Sequence, residues 1–240
     1  MCSSIRPGAD NGNRAFEGML RRRYDPEVMD DSSIQDERMD NALQELKRVN
    51  MFLGGKATTQ KGLSVLRKKL NLHHTLSLLD IGAGGADVFD DSVQPLDVTV
   101  LDRNPRVCEY LKTRVPYSVV CGDALHLPFN GGSFDVIHAS LFLHHLHEEE
   151  IRKMLTSCLR ISRYGIIIND LRRSMFAYAG IKALTTLFSN SSMVKHDGPL
   201  SVLRGFSKNE LESLLADCGV TKYTLQRRWA FRWLVVIWNS

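Results

Sequence analysis

The stretch "LLDIGAGGADV", Leu78 to Val88, decides how the rest of the chain is read. An apolar run breaks into glycines and then meets an acid. A strand that enters a helix through a turn where backbone must lie close to a ligand has this composition, because glycine reaches positive φ and carries no side chain. Downstream of Leu76 the pattern repeats. The β-rich runs "LSLLDI", "LDVTVLD", "YSVVCGD", "FDVIHAS" and "YGIIIND" alternate with the helical stretches "PRVCEYLKTRV" and "HEEEIRKMLTSCLRI". In the second helix Ile151, Met154, Leu155, Cys158 and Leu159 share one face, and the acids stand in the first turn, where the helix dipole favours them. Strands that are apolar throughout and alternate with helices predict an α/β fold with a parallel sheet covered on both faces. "FSKNELESLLADCG" carries a capping box, Ser207 with Glu210, and a glycine stop at Gly219. Two more β-rich runs, "VTKYTLQRR" and "FRWLVVIW", end the sequence as a hairpin that breaks the alternation.

Upstream, the polar first part to about residue 35 reads as mobile. "DERMDNALQELKRVNMFLGG" then turns helical, with Met39, Leu43, Leu46, Val49 and Leu53 at three- and four-residue steps and Gly54-Gly55 as the stop. Residues 1–60 are therefore expected to form an N-terminal segment and helical cap, and residues 61–240 the main domain. An apolar insert lies near 171–205, with Phe176, Ile181, Leu184, Leu187 and Phe188 forming a stripe.

The 240 residues are 43% hydrophobic and 24% charged, ordinary for a globular chain, and the net charge is +4. The one dense basic run, Arg21 to Arg23, has no aromatic interleaving and reads as a solvated face, so no nucleic-acid partner is expected. Five scattered cysteines without a C-x-x-C favour reduced thiols, a cytoplasmic setting and no metal framework. No run approaches the roughly 18 apolar residues of a transmembrane segment. A homodimer is kept open as the assembly.

Ligands of open α/β sheets bind at the carboxyl ends of the strands. Polar residues stand there on successive strands: Asp80 with Gly82 and Gly84, then Asp102, then Asp123, then Ala139 and Ser140. One aspartate closing one strand is an ordinary cap, but several in register point to a bound ligand. Asp102 is placed to accept both hydroxyls of a ribose, and Asp123 to accept from an exocyclic amine of a purine. A dinucleotide fingerprint would put a third glycine at Asp87. An anion there repels a pyrophosphate, so the cofactor is expected to carry no phosphate, and an NAD-dependent oxidoreductase is disfavoured.

These residues resemble the signature motifs of class I S-adenosylmethionine-dependent methyltransferases. Asp80 to Ala86 resembles D-x-G-x-G-x-G with Ala86 in place of the third glycine, "VLDRNP" the second motif, "GDALHLPF" the third and "FDVIHASLFLHHL" the fourth. The resemblance implies a Rossmann-like seven-stranded sheet with an antiparallel last strand. It also implies S-adenosyl-L-methionine as cofactor, held by Asp80, Gly82, Ala83, Gly84, Asp102, Arg103, Asp123, Ala124, Ala139 and Ser140. "LPF...SFDVIHASLFLHHL" is similar to the ubiquinone- and menaquinone-biosynthesis branch, and "YDPEVMD", "LKRVNMFLGG", "NDLRRS" and "HDGPLSVLRGFS" look closer to bacterial relatives encoded near polyketide genes.

Methyl transfer to a hydroxyl needs alignment and a base. His145 is favoured over its neighbour His144, since two adjacent imidazoles do not easily reach one acceptor, and His196 beside Asp197 is a second candidate unless "DGP" is a surface turn. In "NDLRR", Asn169 or Asp170 can fix a substrate oxygen and Arg172 or Arg173 an anion. The apolar insert reads as a lid over a small hydrophobic aromatic or polyketide-like acceptor. O-methylation is the leading expectation. C-methylation of a quinone-type ring, or a non-catalytic cofactor-binding interaction module, is the alternative. The absence of an N/D-P-P-Y/F motif after the fourth strand argues against a nucleic-acid base as acceptor.

Overall fold

The computed structural model describes residues 21–89 and 95–239. A 3₁₀ turn at Val28–Asp30 is followed by α1 (Glu37–Phe52), α2 (Gly55–Leu70), β1 (Leu76–Ile81), β2 (Leu96–Asp102), α3 (Pro105–Lys112), β3 (Ser118–Cys121) and β4 (Phe134–Ser140). A second 3₁₀ turn at Leu143–His145 leads to α4 (Glu148–Ile161), β5 (Ser162–Leu171), α5 (Met175–Phe188), α6 (Ser192–Arg204), α7 (Lys208–Asp217), β6 (Tyr223–Arg228) and β7 (Arg232–Trp238). The strands form one sheet in the order β3-β2-β1-β4-β5-β7-β6. Strands β1 to β5 are parallel, and β7 lies antiparallel between β5 and β6. The expected Rossmann-like sheet with its terminal hairpin is present. The strand order reverses between β1 and β4, so the glycine turn sits at the topological switch point where such sheets take ligands.

Alternate strand residues feed two cores. Leu79, Ile137, Ile166, Ile168 and Val235 meet α4 and α7 on one face. Leu78, Val136, Ile167, Leu234 and Val236 meet α1, α2 and α3 on the other. A Cβ on Gly62 would lie 2.6 Å from the Ile167 side chain, so α2 presses directly on the sheet. Helix α2 is thus a covering helix of the sheet itself, and the expected division at residue 60 cuts through it. The Ser207–Glu210 capping box forms as read, with Glu210 N donating to Ser207 Oγ and Ser207 N to Glu210 Oε2.

The expected mobility of residues 1–20 lies outside the described residues. Residues 21–35 do not continue it. The Arg22 guanidinium is buried and donates to the carbonyls of Leu143, His144, Leu146 and Arg204. Asp197 accepts from the backbone of Val28 and Met29, at 2.9 and 3.0 Å. Polar residues without periodicity here form a strap tied by hydrogen bonds rather than by an apolar face. No helix among the described residues is long and apolar enough to cross a membrane.

Candidate active site

The carboxyl ends of β1, β2, β4 and β5 open on a cavity of about 740 Å³. Its floor is the glycine turn. Its walls come from α1, α5, α6, the Val28–Asp30 turn and the β6–β7 hairpin. Of the apolar insert, Ile181 and Leu184 line the cavity, while Leu187 and Phe188 face solvent.

At one end stands the glycine turn. Gly82, Gly84 and Ala86 all take positive φ (65°, 50° and 46°), so Ala86 keeps the backbone of the glycine it resembles. That conformation costs an alanine about 1–2 kcal/mol. A Cβ on Gly82 would fall 2.1 Å from the Phe142 ring, whereas one on Gly84 would meet nothing nearer than Leu43 at 3.9 Å. Gly82 therefore admits a neighbour from after β4, and Gly84 leaves space. Asp102 ends β2 with one carboxylate oxygen accepting from Gly84 N (3.1 Å) and the other from Asn104 N (3.0 Å). Burial pushes its carboxyl up despite these bonds. An ionised carboxylate has about four acceptor positions, so capacity for hydroxyl donors remains. Ser140 Oγ, at the end of β4, is buried in the cavity wall without a hydrogen-bond partner among the described residues. Open space over Gly84, spare capacity on Asp102 and an unpartnered Ser140 hydroxyl together fit a polar nucleoside-bearing ligand.

The other expected ligands divide. Ala83, Arg103, Asp123 and Ala124 line the cavity, but Ala139 lies beneath it within the sheet. Asp123 accepts from Leu125 N and bonds His126 Nδ1 at 2.7 Å. Asp80 is turned inward: its carboxylate meets His138 Nδ1 at 2.6 Å, and His138 Nε2 lies 3.0 Å from Thr59 Oγ1. Asp80 thus braces β1 against β4 and α2. Asp87 accepts from both sides of its carboxylate from Asn50 Nδ2, which explains an acid where a dinucleotide site would want glycine. It ties the turn to α1, and burial raises its pKa.

At the other end the two histidines diverge in their supports and converge at their tips. His144 Nδ1 bonds Asp170 at 2.7 Å and His145 Nδ1 bonds Asp30 at 2.7 Å. The two Nε2 atoms lie 3.7 and 3.9 Å from the two oxygens of Glu27. The His144 side chain is 2% exposed and that of His145 23%. Burial opposes charge on Asp170 and Asp30, but it is outweighed. The charge and bond of His144 together with Leu171 N hold Asp170 low, and those of His145 together with Glu27 N and Arg204 hold Asp30 low. Burial pushes Glu27 up against the charges of His145 and Arg204.

His196 is a correction. Its ring points to solvent, and the "KHDGP" segment is neither a turn nor part of the cavity wall at His196, because it lies inside α6. Within this segment Asp197 and Gly198 line the cavity. Asn169 and Asp170 are also not free for substrate. Asn169 donates to Gly55 O and Thr59 Oγ1, and Asp170 accepts from His144 and the backbone of Phe142, Leu143 and Leu171. Arg173 pairs with Glu210, while Arg172 reaches the cavity. Glu27 and Asp30 were not foreseen. They come from a segment without periodicity, and only proximity in three dimensions joins them to the histidines.

Residues 78–165 match the family model described as a methyltransferase domain. An uncharacterized methyltransferase of Synechocystis sp. (strain ATCC 27184 / PCC 6803 / Kazusa) is 28% identical over 155 residues. The match covers 60% of this chain and 66% of that relative, just under two thirds of its length. The plantazolicin methyltransferase BpumL, solved with S-adenosylhomocysteine, has the same fold at a TM-score of 0.64 and 14% identity, over 95% of this chain and 99% of that one. Magnesium protoporphyrin IX methyltransferase (ChlM) from Synechocystis PCC 6803, solved with S-adenosylmethionine, matches at 0.53 and 14% over the whole of both chains. Fold, glycine turn and domain match together resemble the class I S-adenosylmethionine-dependent methyltransferases. A methyltransferase domain takes S-adenosylmethionine as its methyl donor, and ChlM was solved with that donor bound.

Proposed function

We propose that the enzyme methylates a hydroxyl of a small hydrophobic acceptor, a phenolic, quinol or polyketide-type aromatic, in the manner of the ubiquinone- and menaquinone-like branch. The observation that carries this is one cavity with two unlike ends: the glycine turn with Asp102, and the Glu27–His144–His145 cluster, with apolar side chains of α1, α5 and α6 between them.

The donor supplies an electrophilic methyl group on a sulfonium when bound. Asp102 accepts its ribose hydroxyls, Asp123 and Ala124 meet the adenine edge, and the backbone of Ala83 and Gly84 with Ser140 holds the methionine end. Asp80 acts through its neighbours, positioning the turn. Leu43, Leu46, Ile181 and Leu184 exclude water from the acceptor and hold its ring, which converts an encounter into an aligned displacement. His145 takes the hydroxyl proton at Nε2. An ionised Asp30 can only accept, so Nδ1 carries the ring proton and Nε2 the lone pair of the neutral imidazole.

Asp102→Ala is expected to weaken S-adenosylhomocysteine binding by roughly 30-fold or more. Hydrogen bonds to a charged group are worth about 1.5–3 kcal/mol each, and about 1.4 kcal/mol is tenfold in affinity. Calorimetry reads this, with circular dichroism to confirm folding. Unchanged affinity in a folded variant would remove Asp102 from the donor site. The function itself is tested with methyl-labelled donor and a panel of hydroxylated aromatics. Label should appear on oxygen. Label on ring carbon would replace this reading by C-methylation, and the absence of label on every hydroxylated aromatic would reject it.

A further inference from the structure

Glu27, His144 and His145 place one carboxylate oxygen and two imidazole nitrogens within 4.8 Å of one another in the cavity wall. We infer that these three side chains form a binding site for a divalent first-row transition metal ion of the zinc type, with its remaining coordination positions facing the acceptor cavity.

Three observations support it independently of the methyl-transfer chemistry. The first is the donor set. Two imidazoles and a carboxylate are a recurrent protein set for zinc and ferrous ions, and imidazole disfavours magnesium and calcium. Tetrahedral bonds near 2.0–2.1 Å put ligand atoms about 3.4 Å apart. The 3.7 and 3.9 Å separations, each to a different Glu27 oxygen, lie near that value, and the set of three must close by at most roughly 1.5 Å from its 4.8 Å bound. The second is the support behind each ligand. Metal-binding histidines usually donate their other ring N–H to a carboxylate, which fixes the tautomer and the ring plane. Here both do so, to Asp170 and Asp30, each at 2.7 Å. Glu27 is likewise held, by Ser201 Oγ at 2.9 Å. The third is charge. Around the cluster stand four carboxylates, Glu27, Asp30, Asp170 and Asp197, and two guanidiniums, Arg22 and Arg204. With both imidazoles neutral these groups carry an excess of negative charge, which a divalent cation offsets.

One consequence rests on the proposed role of His145 as base, although the metal site does not. The metal and the acceptor's proton would use the same Nε2 lone pair, so a bound zinc ion leaves the acceptor hydroxyl without its base. The enzyme is then inhibited by the metal and restored by a chelator.

The test uses the full chain freed of metal by a chelator and titrated with zinc chloride against a chromophoric zinc indicator. One equivalent is expected to bind in the unaltered protein. Zinc should also protect the half-buried His145, and not His73, His74, His126 or His196, from modification by diethyl pyrocarbonate, read by peptide mass spectrometry. Glu27→Gln should weaken zinc at least tenfold, and Asp30→Asn, acting from behind a ligand, about 10–100-fold. Binding of S-adenosylhomocysteine by the same samples shows that each variant is folded. The protection pattern needs no variant, so it decides the matter even if Glu27→Gln does not fold. Absence of a stoichiometric site, or protection confined to the other histidines, overturns the inference. Donor binding without zinc binding rejects only the metal site. Zinc binding at these residues without transfer to any hydroxyl rejects only the O-methyl reading.

Discussion

His145→Gln is expected to lower kcat for a neutral phenolic acceptor by about 10²–10⁴, the usual contribution of one positioned base. Binding of S-adenosylhomocysteine should stay unchanged, because the glycine turn and Asp102 belong to the other end of the cavity. The loss should depend on the acceptor. A phenol acidic enough to be ionised at the assay pH has already lost its proton and needs no base, so the variant should approach the unaltered enzyme with it. With a weakly acidic phenol the residual rate should rise with pH as solution supplies the phenolate. An equal loss with both kinds of phenol would assign His145 to alignment instead. His144→Gln is the contrasting variant. Its ring is enclosed and braced by Asp170, so its removal should act mainly on stability.

Arg232→Ala should cost about 3–5 kcal/mol of folding free energy, in the range found when a buried charged partner is removed. Arg232 is buried in β7 and donates to Leu53 O, Asn169 Oδ1 and Asn50 Oδ1, at 2.9, 3.2 and 2.6 Å. Those acceptors belong to the α1–α2 junction, β5 and α1. Each buried acceptor left unpaired costs about 1–3 kcal/mol. Burial draws the guanidinium down to about 10, with Asp170 and Asp87 resisting the shift. In a chain of this size the change corresponds to roughly 6–20 °C in Tm. Because Asn50 also holds Asp87, the donor turn should loosen with it. Urea unfolding measures the effect, and a shift below about 1 kcal/mol would mean that water or a neighbour replaces the guanidinium.

Much of the glycine-turn end of the cavity could be read from the sequence because its lining residues occur at strand ends, and strand ends are visible as the places where apolar runs stop. Gly82, Gly84, Asp102 and Asp123 each follow such a run. Asp80 lines the cavity as well, but nothing in one dimension pairs it with His138, which meets it across the sheet only because β4 lies beside β1. The insert was visible by its apolarity, yet "KHDGP" looked like a turn. Pro199 sits within a helix that packing against α5 and the strap holds in place, and local propensity yields to that. Glu27 and Asp30 carried no signal. Their segment has no period, and its order comes from bonds to Arg204, Ser201, Asp197 and the carbonyls that bind Arg22.

The strap gives the enzyme a division of labour along its chain. The glycine-turn end of the cavity is drawn from the ends of consecutive strands of the sheet, whereas the histidine end is assembled from the first described segment, the turn after β4 and an insert. Changes in the strap or the insert can therefore alter which molecule is methylated while the sheet goes on presenting the same donor. On the proposed reading, donor binding and acceptor choice are carried in this chain by separate stretches of sequence.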